Sequence, residues 1–337
     1  MARPPPDTQV YANIAVIGAG AWGTALALIA DSAGAKVTLW AREPDVVKSL
    51  RQNRENRQFL KGIAVSDSIE ATGDLARAGE ADAVLLVSPA QHVRSMLLGL
   101  KPHVPPSVPI VLCAKGVELQ TGLLLPEVLA EVLPDAIAGM LSGPSFARDV
   151  ASGLPTAVTI AAREPVATRL ASTLGRAGFR PYVSEDVVGV ALGGAAKNVY
   201  AIACGMVQGA GLGESARAAT ISRGFAELLR LGAALGARSE TLMGLSGLGD
   251  LVLTATSVSS RNFSLGVALG KGAALADAAG TGRPLAEGAA TAPALVARAQ
   301  RQGVELPIAE AVADVLSGAL DVKGAVDRLL SRPLKPE

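Results

Sequence analysis

The residues able to do chemistry in this chain are polar groups set in apolar surroundings. Lys197 and Asn198 interrupt the run LGGAAKNVY at 192–200, which reads as an apolar helix. A lysine in the middle of such a helix must snorkel, pair or lose its charge. Desolvation and a nearby cation would bring its pKa toward a value useful for proton transfer, with a structural ion pair as the alternative. Lys115 lies in CAKG at 113–116, just past a predicted strand. Open α/β sheets bind ligands beyond the carboxyl ends of their strands, so this lysine is a second candidate, an exposed loop lysine being the plainer reading. Asp250 ends the glycine-rich GLGD at 247–250, where a tight turn would let its carboxylate orient or charge-balance a lysine. Ser260, Arg261 and Asn262 form a compact donor cluster. A guanidinium fork with hydroxyl and amide donors suits a phosphate, although a capped helix start with a surface arginine uses the same residues. In SGPSFA at 142–147, a strand-to-helix turn offers backbone N–H groups and Ser145 to a hydroxyl or phosphate, or simply caps a helix with Ser145.

These groups need a scaffold, and the apolar patterning supplies one. Short β-rich runs at 13–17, 36–40, 83–87, 109–114, 136–141, 156–161 and 180–183 alternate with helical patterns at 21–32, 44–53, 91–100, 123–133 and 165–174. Several strands are continuous apolar runs, as expected where both faces of a sheet are covered. Strand and helix in series predict a doubly wound, mostly parallel α/β sheet over 13–185. Beyond it the strands stop. Helical patterns at 187–208, 215–235, 239–243, 264–269, 275–279, 290–302, 307–316 and 322–330 predict an all-α domain over 186–330. An arm at 1–12, with Pro4, Pro5 and Pro6, and a tail at 331–337 are expected to fray.

The first strand runs into GAGAWGTA at 18–25. A lone GxGxxG is weak evidence, but here it follows a strand and opens a helix, the context of a dinucleotide-binding Rossmann fingerprint. Gly18 permits the tight turn, Gly20 lets the backbone approach a pyrophosphate, and Gly23 lets helix pack on strand. The helix N-terminus adds free N–H groups and a positive dipole end. Two other glycine-rich stretches fail the same test: 209–213 follows no strand, and 270–272 lacks the remainder of a P-loop. At the end of the second strand stand Arg42 and Glu43. An acidic residue there binds a ribose 2′-hydroxyl, whereas arginine accommodates a 2′-phosphate. Arg42 therefore favours NADP while Glu43 keeps NAD open.

Composition excludes other classes. With 31 basic and 30 acidic residues the net charge is +1, so no overall field draws the chain to nucleic acid. Two cysteines, Cys113 and Cys204, are too few for a disulfide framework and sit in apolar runs. The two histidines have no neighbours at ligand spacing, so neither a metal site nor a Ser-His-Asp triad is expected. The most apolar stretch, 187–212, is crossed by Lys197 and Asn198, which argues against membrane insertion.

Taken in order, GAGAWGTA at 18–25, AKG at 114–116, SGPSFA at 142–147, LGGAAKN at 192–198, GLSGLGDLVLT at 244–254 and SRN at 260–262 resemble the bacterial NAD(P)-dependent sn-glycerol-3-phosphate dehydrogenases. The resemblance spans nearly the whole chain after residue 12, and the ordered set is far more specific than any one motif. It implies reversible reduction of dihydroxyacetone phosphate to sn-glycerol 3-phosphate for phospholipid synthesis, in the cytoplasm. It places the general acid/base on Lys197, with Lys115 and Asp250 supporting it. It implies substrate contacts at Lys115, Gly143, Ser145, Lys197, Asp250, Ser260, Arg261 and Asn262. Cofactor contacts fall on Ala21, Trp22, Arg42, Lys115, Ala147, Arg261, Leu285 and Glu287, beside the fingerprint glycines. The segment GRPLAEG at 282–288, which carries the last two cofactor residues before Gly288, matches more loosely, and position 21 is often serine in the family. Rival readings are a two-domain dehydrogenase of hydroxy or imino acids, which needs a carboxylate site in place of a phosphate site, and a dinucleotide sensor without catalysis, which leaves both lysines and Asp250 unused. A homodimer through the apolar helical domain is also expected.

Overall fold

The structure, a computed structural model, describes residues 9–278 and 286–333. It contains two compact units, one of residues 1–114 and 125–190 and the other of residues 115–124 and 191–337.

The first unit holds an eight-stranded sheet of order β3-β2-β1-β4-β5-β6-β7-β8. Its strands are β1 (Asn13–Ile17), β2 (Lys36–Trp40), β3 (Glu70–Thr72), β4 (Ala83–Leu86), β5 (Ile110–Leu112), β6 (Ala138–Ser142), β7 (Thr156–Ala162) and β8 (Phe179–Ser184). The helices α1 (Ala21–Ser32), α2 (Pro44–Asn53), α3 (Val93–Leu100), α4 (Leu125–Val132), α5 (Ala147–Ala151) and α6 (Val166–Leu174) connect them. Reversal of strand order on either side of β1 is the doubly wound plan that the alternating pattern predicts. Strands β1 to β6 are mutually parallel, but β7 pairs antiparallel with β6 and carries β8 with it. β4 is buried along its whole length, and Val16, Leu39, Leu85 and Leu141 lie in one core with the apolar face of α1.

Three local expectations need correction. β3 has only the residues Glu, Ala and Thr, too short and polar to register as an apolar run. Residues 147–151 form a helix capped by Phe146, and Ser145 does not cap it: its Oγ donates to the Gly143 carbonyl at 3.0 Å. The arm does not fray through residue 12. Tyr11 is buried under the Arg169 guanidinium, which lies 3.9 Å from its ring centroid, and its N–H donates to Thr173 Oγ1. The Ala12 N–H is taken by Asp82.

The second unit is helical, with α7 (Val187–Gly209) entering it from residue 191, followed by α8 (Gly213–Ala234), α9 (Ser239–Met243), α10 (Asp250–Ala255), α11 (Arg261–Gly270), α12 (Leu275–Ala278), α13 (Glu287–Arg301), α14 (Pro307–Ser317) and α15 (Val322–Leu330). By length and composition α7 could cross a membrane, but 89% of its apolar window is buried inside the fold. It packs on α11 without side chains between the backbones. A Cβ on Gly205 would stand 2.1 Å from the Phe263 carbonyl oxygen, and one on Gly266 the same distance from that of Ile202. α11 begins at Arg261, three residues before the apolar pattern reveals it, because Ser260 is its N-cap and accepts from the Phe263 N–H at 3.2 Å. The expected turn before Asp250 is a π-helical stretch, Leu245–Gly249, that runs directly into α10.

Candidate active site

In the first unit, the fingerprint forms a cradle shaped by its glycines. Gly18 has φ +119°, and a Cβ on Gly23 would lie 1.8 Å from the Gly18 carbonyl oxygen, so neither position admits a side chain. Gly20, the N-cap of α1, has no atom of the described residues within 4 Å of where its Cβ would be, which leaves its backbone open to close approach by a bound group. Among the described residues no side chain caps α1, so the amides of its first turn could serve an anionic ligand. Trp22 Nε1, in that turn, is enclosed with no acceptor among the described residues. These features fit a dinucleotide phosphate. Sequence reasoning missed Asn56, which is fully buried and donates to both the Ala19 carbonyl and Thr24 Oγ1 at 2.8 Å, fixing the loop from behind. Its polar surroundings in the sequence gave no signal. Beyond β2, Arg42 is 72% exposed and bonds Glu43 at 2.7 Å. Gly143, at φ +150°, backs onto Val158, and Ala147 opens α5.

In the second unit, Asp250 draws two lysines together. Its Oδ1 accepts from Lys197 Nζ at 3.0 Å and its Oδ2 from Lys115 Nζ at 2.7 Å. The carboxylate is 1% exposed and the two lysine side chains 10% and 13%. Two cations on one buried anion leave the three groups themselves net positive. Burial is the main influence on Lys197, lowering its pKa to about 8; the Asp250 charge raises it and the Lys115 charge lowers it further. Burial alone would raise Asp250, but the Lys115 and Lys197 ammoniums outweigh it and hold the carboxyl below its ordinary value. Lys197 Nζ also donates to Thr254 Oγ1 at 2.8 Å. Thr254 was missed in sequence, although its spacing of four from Asp250 on one helix marks the same face. With two of three N–H groups engaged, Lys197 is oriented and keeps one proton for a third partner.

Asn198, next on α7, gives its Nδ2 to the Lys115 carbonyl at 2.9 Å and receives Asn262 Nδ2 on Oδ1 at 2.8 Å. Asn262 Oδ1 accepts the Gly288 N–H at 2.9 Å. Ser260 is buried as the α11 cap, whereas Arg261 is exposed and its guanidinium forms no ion pair among the described residues. Glu287 is the first residue of α13, and its charge acts on Lys197. Leu285 lies outside the described residues. The structure thus brings together Lys115, Lys197, Asp250, Asn262 and Glu287 in one unit, with Ala21, Trp22, Arg42, Gly143, Ser145 and Ala147 in the other.

Comparison with known proteins identifies the family. Residues 13–168 match the family described as NAD-dependent glycerol-3-phosphate dehydrogenase N-terminus, and residues 186–327 match the corresponding C-terminus. A protein of Parvibaculum lavamentivorans named glycerol-3-phosphate dehydrogenase [NAD(P)+] is 58% identical over 331 residues, covering 98% of this chain and 99% of its own. Its namesake in Rhodospirillum rubrum is 55% identical, covering 98% and 95%. The crystal structure of a glycerol-3-phosphate dehydrogenase from Coxiella burnetii superposes with a TM-score of 0.90 at 38% identity, over 95% of this chain and 99% of that one.

Proposed function

The chain belongs to the NAD-dependent glycerol-3-phosphate dehydrogenase family and is an NAD(P)-dependent oxidoreductase of the CH–OH group of glycerol 3-phosphate; from that premise we propose that Lys197 is its general acid/base. The observation that carries this reading is the Lys115–Asp250–Lys197 triad, an otherwise costly burial of three charges held by two short ion pairs.

A nicotinamide dinucleotide, when bound, supplies the hydride to the ketone carbon of dihydroxyacetone phosphate or accepts it in reverse. As the carbonyl is reduced, negative charge gathers on its oxygen. Lys197, charged at neutral pH, uses its remaining N–H to stabilise that oxygen and to deliver the proton. Burial, with the positive potential of Lys115 added to it, keeps the pKa of Lys197 low enough for the neutral amine to exist near pH 8. In the oxidation direction that neutral amine takes the hydroxyl proton. Asp250 orients both lysines, and Thr254 fixes Lys197 from a second side.

We assign Arg261, with Ser260 and Asn262 beside it, to the substrate phosphate, since its guanidinium is exposed and unpaired among the described residues. Gly143 and Ser145 are assigned to substrate as well. The cofactor phosphates are assigned to Gly18, Gly20, Ala21, Trp22 and Gly23, with Ala147, Glu287, Lys115 and Arg261 also touching the cofactor. Arg42, exposed at the end of β2, is assigned to a 2′-phosphate and favours NADP. Phospholipid precursor supply in the cytoplasm, as a homodimer, completes the reading. The deciding experiment follows NADPH and NADH absorbance on adding dihydroxyacetone phosphate to wild type and to Lys197→Ala. Turnover that survives the substitution at near the wild-type rate removes Lys197 from the role.

A further inference from the structure

Lys115 lies on a segment that α13 holds at two points. At the far end of the segment, Arg301, the last residue of α13, gives its Nη2 to the Thr121 carbonyl at 2.9 Å. At the near end, the first turn of α13 reaches the Lys115 carbonyl through two buried amides: Gly288 N–H to Asn262 Oδ1, Asn262 Nδ2 to Asn198 Oδ1, and Asn198 Nδ2 to the Lys115 oxygen, each between 2.8 and 2.9 Å. The direction of this chain is fixed by its ends. A backbone N–H can only donate and a backbone carbonyl can only accept, so neither amide can turn over without leaving two oxygens or two N–H groups face to face. Asn198 is 4% exposed and Asn262 9%, so water does not readily replace a lost bond. The seat at Gly288 is equally tight, since a Cβ there would stand 2.6 Å from Asn262 Oδ1 and 2.7 Å from the Asn198 carbonyl oxygen.

We infer that Asn262 is a positioning residue that acts through Asn198 to register the Lys115 backbone, and with it the second ammonium on Asp250, against the first turn of α13. The relay links Gly288, next to the cofactor contact assigned to Glu287, to the lysine whose ammonium shares Asp250 with Lys197. It rests on the catalytic assignment of Lys115. It is separate from any share Asn262 takes in holding the phosphate, because phosphate binding needs only the outer N–H of its amide, whereas the relay uses the other N–H and the oxygen.

The test is a double-mutant cycle on kcat for dihydroxyacetone phosphate reduction by the full-length enzyme. Asn262→Asp keeps the shape and the acceptor for Gly288 but sets a carboxylate oxygen against Asn198 Oδ1. It is expected to lower kcat by about tenfold or more in the wild-type background and by less than about twofold in Lys115→Ala. Any phosphate contact appears separately, as a raised KM for substrate in both backgrounds. If N262D does not fold, as judged by thermal melting, N262A is taken through the same cycle. Effects on kcat that multiply fully in the double variant overturn the relay and leave the rest of the site standing. A K115A enzyme with unchanged turnover instead overturns the assignment of Lys115, and the relay loses its purpose with it.

Discussion

Replacing Asp250 with asparagine removes one charge from the triad and almost no volume. Asp250 Oδ1 lies 3.0 Å from Lys197 Nζ. At an effective dielectric of about 20, unit charges at that distance attract by ~5 kcal/mol, equivalent to roughly four pKa units. An amide oxygen in the same place keeps a hydrogen bond, so a fall of roughly two units is the conservative expectation. Lys197, already pushed down to about 8 by burial, would then titrate near ~6. At pH 7 its protonated share would drop from about nine-tenths to about one-tenth. Ketone reduction needs the proton, so in wild type its rate declines as pH rises through about 8, and in Asp250→Asn the decline moves to lower pH by roughly two units. Below that point activity partly returns, because the ammonium is restored. Asparagine presents only one oxygen to two ammoniums, so orientation is also lost and the plateau itself falls. The assay is kcat for dihydroxyacetone phosphate reduction between about pH 5 and 10. A variant whose decline stays at the wild-type pH would falsify the claim that the Asp250 charge raises the proton affinity of Lys197.

Other substitutions test other parts of the site. Lys197→Ala is expected to bind NADPH normally by fluorescence titration while losing most turnover; weakened cofactor binding would point to a general structural fault. Arg261→Ala removes a charge-assisted hydrogen bond worth about 1.5–3 kcal/mol, so KM for the phosphorylated substrate should rise by roughly 10- to 150-fold, and an unchanged KM excludes it from the phosphate site. Arg42→Ala should lower kcat/KM for NADPH well below its effect on NADH, and equal losses would remove Arg42 from contact with the 2′-phosphate. Gly205→Ala sets a methyl against the Phe263 carbonyl oxygen of α11, so urea unfolding should show a loss of ~1–3 kcal/mol; a neutral result would mean that the two helices can separate freely.

The strands covered on both faces, the fingerprint from Gly18 to Gly23 and the apolar periodicity of α7 were legible in the sequence because each is a local pattern. β3 was not, since three residues with one apolar member carry no periodicity. The start of α11 was hidden because a cap and two polar residues precede its apolar stripe. Lys115, Lys197 and Asp250 each stood out as polar residues beside apolar or glycine-rich runs, but their spacing says nothing of proximity: 135 and 53 positions separate Asp250 from its two partners. Thr254 escaped notice for a related reason, as the lysine it receives comes from another helix.

Residue type and spacing by themselves determined the α/β-then-helical plan, the glycine-rich turn from Gly18 to Gly23 and the candidate groups able to move a proton. Tertiary structure alone decided that one carboxylate would serve two lysines, that Asn262 would face Asn198, and that Lys197 would sit near pKa 8. Backbone conformation follows from neighbours in the chain, whereas proton affinity follows from burial and from charges a few ångströms away, and only the folded chain brings those within reach.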